Sequence, residues 1–125
     1  MKDVREEAIS RLWDGHMRAA FPHRLAGMEI AGVEMVLLDS DVAGCVAGWL
    51  ENGGRLDARR QNVIANYLPK FVLVLPLLTG QELEYYSRLR SLAVLVHNGQ
   101  STTDNPLADQ AGPALEQDGP VGYCG

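Results

Sequence analysis

A proline lodged inside an otherwise unbroken helical phase, at position 69, constrains this chain more than any other feature. Leu56, Arg60, Val63, Ile64, Tyr67, Leu68, Phe71, Leu75 and Leu78 recur at three- and four-residue steps across it, the spacing of one helix face. A proline in a helix interior removes one hydrogen bond and crowds the preceding turn, at about 3 kcal/mol. Apolar phase that passes through such a site predicts one helix kinked at Pro69, capped by Asp57 at its start and ended near Pro76. The alternative is a helix ending near Tyr67, followed by Phe71–Leu75 as a buried strand.

A second arm completes a helical hairpin. Thr79-Gly80-Gln81-Glu82 has the form of a capping box, in which Thr79 and Glu82 satisfy each other's amides. Behind it Leu83, Tyr86, Leu89, Leu92, Ala93 and Val96 share a face, and Glu84 and Arg88 stand at i,i+4 in the favourable order. His97, Asn98 and Gly99 read as a stop.

Two further helices precede this hairpin. Residues 3–20 place Ile9, Leu12, Trp13, His16, Met17 and Ala20 on one face, with Asp3 and Glu6 as a capping pair, and Phe21-Pro22 ends the run. Val42, Val46, Trp49 and Leu50 form the stripe of a second helix, for which Asp39 or Ser40 can cap. On that helix Gly44 and Gly48, with Ala43 and Ala47, make a smooth surface for close packing, and Asn52-Gly53-Gly54 stops it. Between the two, Met28–Ile30 and Val33–Leu37 flank Ala31-Gly32, the arrangement of a short β-hairpin whose apolar side must pack on the helices. The sequence thus predicts a mostly α fold: a small four-helix bundle over residues 1–98, with a short β-hairpin between helices 1 and 2. The polar, Gly/Pro-containing stretch 99–125 carries few aliphatic residues and is expected to be a disordered acidic tail.

Charge restricts the function classes. All basic residues lie within residues 1–98 and balance the acids there to −1; Asp104, Asp109, Glu116 and Asp118 supply the remaining −4 of the net −5. A near-neutral folded part offers no long-range pull on nucleic acid or an anionic membrane, and Arg55, Arg59 and Arg60 read first as a solvated helix start. No apolar run approaches the roughly 18 residues of a membrane span, and the N-terminal residues lack a signal peptide's apolar core, which points to a cytoplasmic protein.

Catalytic signatures are missing. His16, His23 and His97 are scattered without a metal-ligand spacing, Cys45 and Cys124 form no framework, and neither a phosphate-binding glycine loop nor a nucleophile elbow occurs. The nearest constellation is Asp39 and Asp41 at the hairpin-to-helix junction, with His23 as a neighbour in space; these could hold a cation or exchange protons, although helix capping explains the acids more simply. Two functions follow as expectations. The first is a non-enzymatic protein-interaction or accessory protein without a cofactor, its partner another protein or a second copy, with Tyr85, off the main apolar face, and Arg59 as interface residues. The second is a small-ligand or enzymatic domain built on Asp39, Asp41 and His23.

Overall fold

The computed structural model describes residues 4–103. Helix α1 (Val4–Arg18) leads through a 3₁₀ turn at His23–Leu25 to the strands β1 (Glu29–Ile30) and β2 (Val33–Glu34); α2 (Met35–Glu51), α3 (Ala58–Val74), a second 3₁₀ turn at Leu75–Leu77, and α4 (Gly80–Thr103) complete the order. The predicted mostly helical fold, with its two-stranded antiparallel hairpin between the first two helices, is the one observed. Glu29 pairs with Glu34 and Ile30 with Val33. Ala31 and Gly32 both have positive φ, 51° and 79°, as a type I′ turn demands, and the expected two-residue turn is in place.

The strands are shorter than the alternation implied, because α2 begins at Met35 instead of after Asp41. Glu34 caps it, its carboxylate accepting from the Leu37 amide at 2.9 Å. The run Val33-Glu-Met-Val-Leu-Leu38 fits a strand period over five residues. From Met35 onward it also fits the helical steps Met35, Leu38, Val42, Val46 and Trp49, all buried, and burial decides in favour of the longer element. Asp39, Ser40 and Asp41 are consequently helix-interior residues and cap nothing; Ser40 turns its hydroxyl back to the Val36 carbonyl.

Helix α3 passes through Pro69 as one element, as the unbroken phase predicted, with Ile64, Phe71 and Val74 buried. Asp57 caps it, accepting from the Arg60 amide at 2.8 Å and from the Arg60 guanidinium. Helix α4 supplies the centre of the core through Tyr85, Tyr86, Leu89, Leu92, Ala93 and Val96, whereas Leu83 is more than a third exposed. Its capping box does not form as drawn. Glu82 instead accepts both Nε and Nη2 of Arg24 at 2.6 Å, pinning the first 3₁₀ turn to the start of α4. Gly80 has φ of +58°, so the turn into α4 depends on glycine there, although an added Cβ would meet nothing. Gly80→Ala is expected to lower stability by about 1 kcal/mol through backbone strain alone. Urea unfolding reads this directly, and a variant as stable as the parent would contradict it.

The stop expected at His97-Asn98-Gly99 is not a stop: α4 continues to Thr103. A Cβ on Gly99 would lie 3.0 Å from the Arg5 side chain and 3.4 Å from the Trp49 ring, so this glycine permits close packing of α4 on α1 and α2. The smooth Gly44/Gly48 surface plays no such part. Gly44 has open space above it, and Gly48 meets the Arg60 side chain, not a backbone. Of the remaining tail, residues 104–125, including Cys124, lie outside the described residues, as does Asp3 of the first capping pair.

The helices run up and down. Gly99 near Arg5 and Trp49 joins the start of α1, the end of α2 and the end of α4 at one end of the bundle. At the other, Arg24 on Glu82 and the Tyr86 hydroxyl on the Met35 carbonyl (2.8 Å) join the end of α1, the start of α2 and the start of α4. Among the described residues no helix is long and apolar enough to cross a membrane.

Candidate functional site: a buried polar chain that ends on Arg88

Four polar side chains from three helices meet inside this apolar frame. His16 lies on the inward face of α1 with 2% of its surface exposed, and a buried imidazole needs hydrogen-bond partners. It finds two. Nε2 donates to Asp39 Oδ1 of α2 at 3.3 Å, and Nδ1 accepts from Arg88 Nε of α4 at 3.4 Å. With Nδ1 accepting from Arg88, it is Nε2 that carries the proton shared with Asp39. The second Asp39 oxygen accepts from the Tyr85 hydroxyl at 2.9 Å. The Tyr85 ring lies 4.4 Å from the His16 ring between centroids and also beneath the Arg88 guanidinium, 5.8 Å away. The order is Arg88, His16, Asp39, Tyr85.

This arrangement holds groups in place; it does not prepare them to react. Burial, with the Asp39 carboxylate beside it, pushes the Tyr85 hydroxyl well above its usual range, so it stays a neutral donor. Both imidazole nitrogens are engaged within the protein, and the Asp39 side chain is only 18% exposed. The set therefore lacks an accessible nucleophile or an uncommitted base. What it does is hold Arg88, whose Nε is bonded to His16 and whose guanidinium carbon lies 5.8 Å from the centre of the Tyr85 ring. Arg88 then borders a surface hollow of about 220 Å³ together with Ala19, Ala20, Gln81, Glu84 and Tyr85.

The predicted site residues are distributed differently. Asp39 belongs to the polar chain. Asp41, two residues on and so on the opposite side of α2, accepts from the Tyr67 hydroxyl at 2.6 Å, and Lys70 sits 4.8 Å over the Tyr67 ring. The contact with Asp41 adds to burial in raising Tyr67 to about 12. His23 joins neither acid. It stands exposed on the first 3₁₀ turn, beside a hollow of about 470 Å³ that the Arg24–Glu82 pair occupies with its own charges. The proposed Asp39/Asp41/His23 constellation is therefore dismantled: once α2 starts at Met35, the two acids turn toward different helices. Tyr85 is also corrected. It is 7% exposed and hydrogen-bonded inside, because residues 85 and 86 both face inward at the wide α4 contact, so it cannot anchor an interface. Arg59 is exposed, beside a hollow of about 260 Å³ between α2 and α3 that Cys45 and Gly44 also line. The i,i+4 pair of Glu84 and Arg88 does not close, since Arg88 is drawn inward to His16.

One signal in the sequence pointed to the polar chain, His16 on the apolar face of α1; the place of Asp39 on a facing stripe emerges only from the start of α2 at Met35. An acid and a histidine on facing apolar stripes are expected to find each other. Among the described residues no group of three His, Cys, Asp or Glu side chains is arranged to hold a metal. Comparison of the chain with protein-family models, curated proteins and solved structures finds no match.

Proposed function

We propose that this chain is a non-enzymatic protein-interaction module of the cytoplasm that works as a homodimer, docking through one end of its bundle. The observation that carries this reading is where apolar side chains are left in water. Val36, Leu37, Val72, Leu73, Leu77 and Leu83 are between 37% and 64% exposed. All six lie where α2 starts, α3 ends and α4 starts, the end also marked by the β-hairpin. Val4 and Met17 stand apart on α1.

The six gather at one end of the bundle, and the largest and often functional apolar patch on a monomer measures about 300–600 Å². That is also near the apolar part of the roughly 800 Å² that each partner contributes to a standard interface. A second copy is the occupant favoured by charge: residues 1–98 carry a net −1, so two such ends approach without strong repulsion, and a two-fold pairing needs only one patch.

Sedimentation equilibrium between micromolar and millimolar concentration tests it. The expected species has twice the 13.6 kDa chain mass, and Leu73→Glu with Leu77→Glu should return it to monomer without changing helicity, since both side chains are more than half exposed. A parent that stays monomeric throughout the range, or a dimer indifferent to both charges, overturns the reading.

A further inference from the structure

We propose that the hollow bordered by Arg88 is a binding site for a small molecule bearing an oxyanion, a carboxylate or a phosphate, received by the outer edge of the Arg88 guanidinium. The proposal is independent of the dimer.

Two ion-paired arginines show by contrast why Arg88 is singled out. Arg24 is closed by Glu82, and Arg60 by Asp57. Among the described residues Arg88 has no carboxylate in ion-pair range, and its two terminal nitrogens make no hydrogen bond. Flexible, solvated arginines are common on surfaces, but Arg88 is half-buried and held at Nε. Its Nε is tied to His16, His16 is tied to Asp39, Asp39 is tied to Tyr85, and its guanidinium carbon lies 5.8 Å from the centre of the Tyr85 ring. With Nε committed inward, the terminal nitrogens are left for a ligand in the hollow that Arg88 borders, on a group already restrained at its inner end. A guanidinium offers two parallel N–H groups that match both oxygens of a carboxylate or two of a phosphate. Fixing it beforehand removes most of the ordering cost that an exposed arginine bears on binding.

The buried chain finds its explanation here. Drawing a charged arginine, a histidine and an aspartate toward an apolar core is seldom the most stable solution, since hydrophobic replacement of such groups is often neutral or better. A row of residues that support one another and end on a cation at a hollow has the form of a receptor and its supporting layer. The hollow, at about 220 Å³, suits a molecule of a few heavy atoms beyond the anion. Gln81 and Glu84 on its rim accept hydrogen bonds, which favours ligands that pair the oxyanion with an amide or ammonium donor, and Ala19 and Ala20 leave room for a short aliphatic stem.

Nitrogen-resolved NMR of full-length protein, with acetate, inorganic phosphate and glycine as separate probes, tests the site. The Arg88 Nε–H resonance should shift saturably with at least one probe, while that of the exposed Arg90 should not. Saturation by acetate or glycine alone identifies a carboxylate site, and by phosphate alone a phosphate site. Arg88→Gln should abolish the response, followed on the Gln81 side-chain amide. Arg88→Lys, which keeps the charge and loses the fork, should weaken binding at least fivefold, and Asp39→Asn, which loosens the support of His16, should weaken it less. Absence of saturation up to 50 mM of every probe, equal response at Arg90, or undiminished binding in Arg88→Lys would each overturn the site.

Discussion

Replacing Tyr85 by alanine will lower stability by about 3–5 kcal/mol, the range for deleting a large aromatic side chain from a packed core. The ring is 7% exposed and touches the rings of His16, Phe21 and Tyr86. Its loss leaves a cavity under Arg88 and takes one donor from Asp39. Tyr85→Phe separates the two effects. It keeps the cavity filled and removes only the hydroxyl that donates to the carboxylate at 2.9 Å, which should cost about 2 kcal/mol as a hydrogen bond to a charged group. In a domain of this size each kcal/mol corresponds to roughly 4–8 °C in melting temperature, so calorimetry resolves the alanine from the phenylalanine variant. An alanine variant melting within a few degrees of the parent would show that Tyr85 is not part of the core.

The second large effect is alkaline unfolding. Burial, followed by the Asp41 contact, raises the Tyr67 hydroxyl to about 12, and burial first, then Asp39, pushes both Tyr85 and Tyr86 upward. In the unfolded chain all three titrate near about 10. Their folded values are raised, so the stability they contribute is fully present below pH 10. Above that the unfolded chain releases protons that the fold retains, and stability falls as pH rises through the folded values. Each tyrosine held neutral contributes a slope of about 1.4 kcal/mol per pH unit in that window. The melting temperature should therefore be nearly flat from pH 7 to 9 and drop steeply beyond 10. Tyr67→Phe and Tyr85→Phe should each flatten the fall while lowering the neutral plateau. A parent whose melting temperature holds steady to pH 11 would show that these hydroxyls ionise freely in the folded state.

The helices were legible because each buries a stripe, and stripes are written in the spacing of apolar residues. Even Pro69 could be placed, since the phase from Ile64 to Phe71 crosses it without slipping. What failed to show was the start of α2. The strand period of Val33 to Leu37 overlaps the helix period that starts at Met35, and only the core beneath Met35 and Leu38 selects one of them. The misplaced boundary carried the site with it. With Asp39 read as a cap, its carboxylate was assigned to a local amide, and the partners 23 residues upstream and 46 downstream had no reason to be sought. The burial of Tyr85 is hidden from the spacing for a related reason. A single stripe drawn through Leu83 and Tyr86 leaves Tyr85 outside, whereas α4 packs against three helices and buries a wider arc of its surface.

The contact of Gly99 with Arg5 and Trp49 has a consequence for chain order. It brings the beginning of α1 and the last turns of α4 to the same place, beside the exposed Asn52-Gly53 turn that links α2 to α3. The path of the described chain is thus close to a loop. Its helices could be entered at α3 and left at α2, with α4 spliced to α1, and every interhelical contact, including the polar chain beneath Arg88, would be preserved. The packing depends on which helices are neighbours, and hardly at all on which of them comes first.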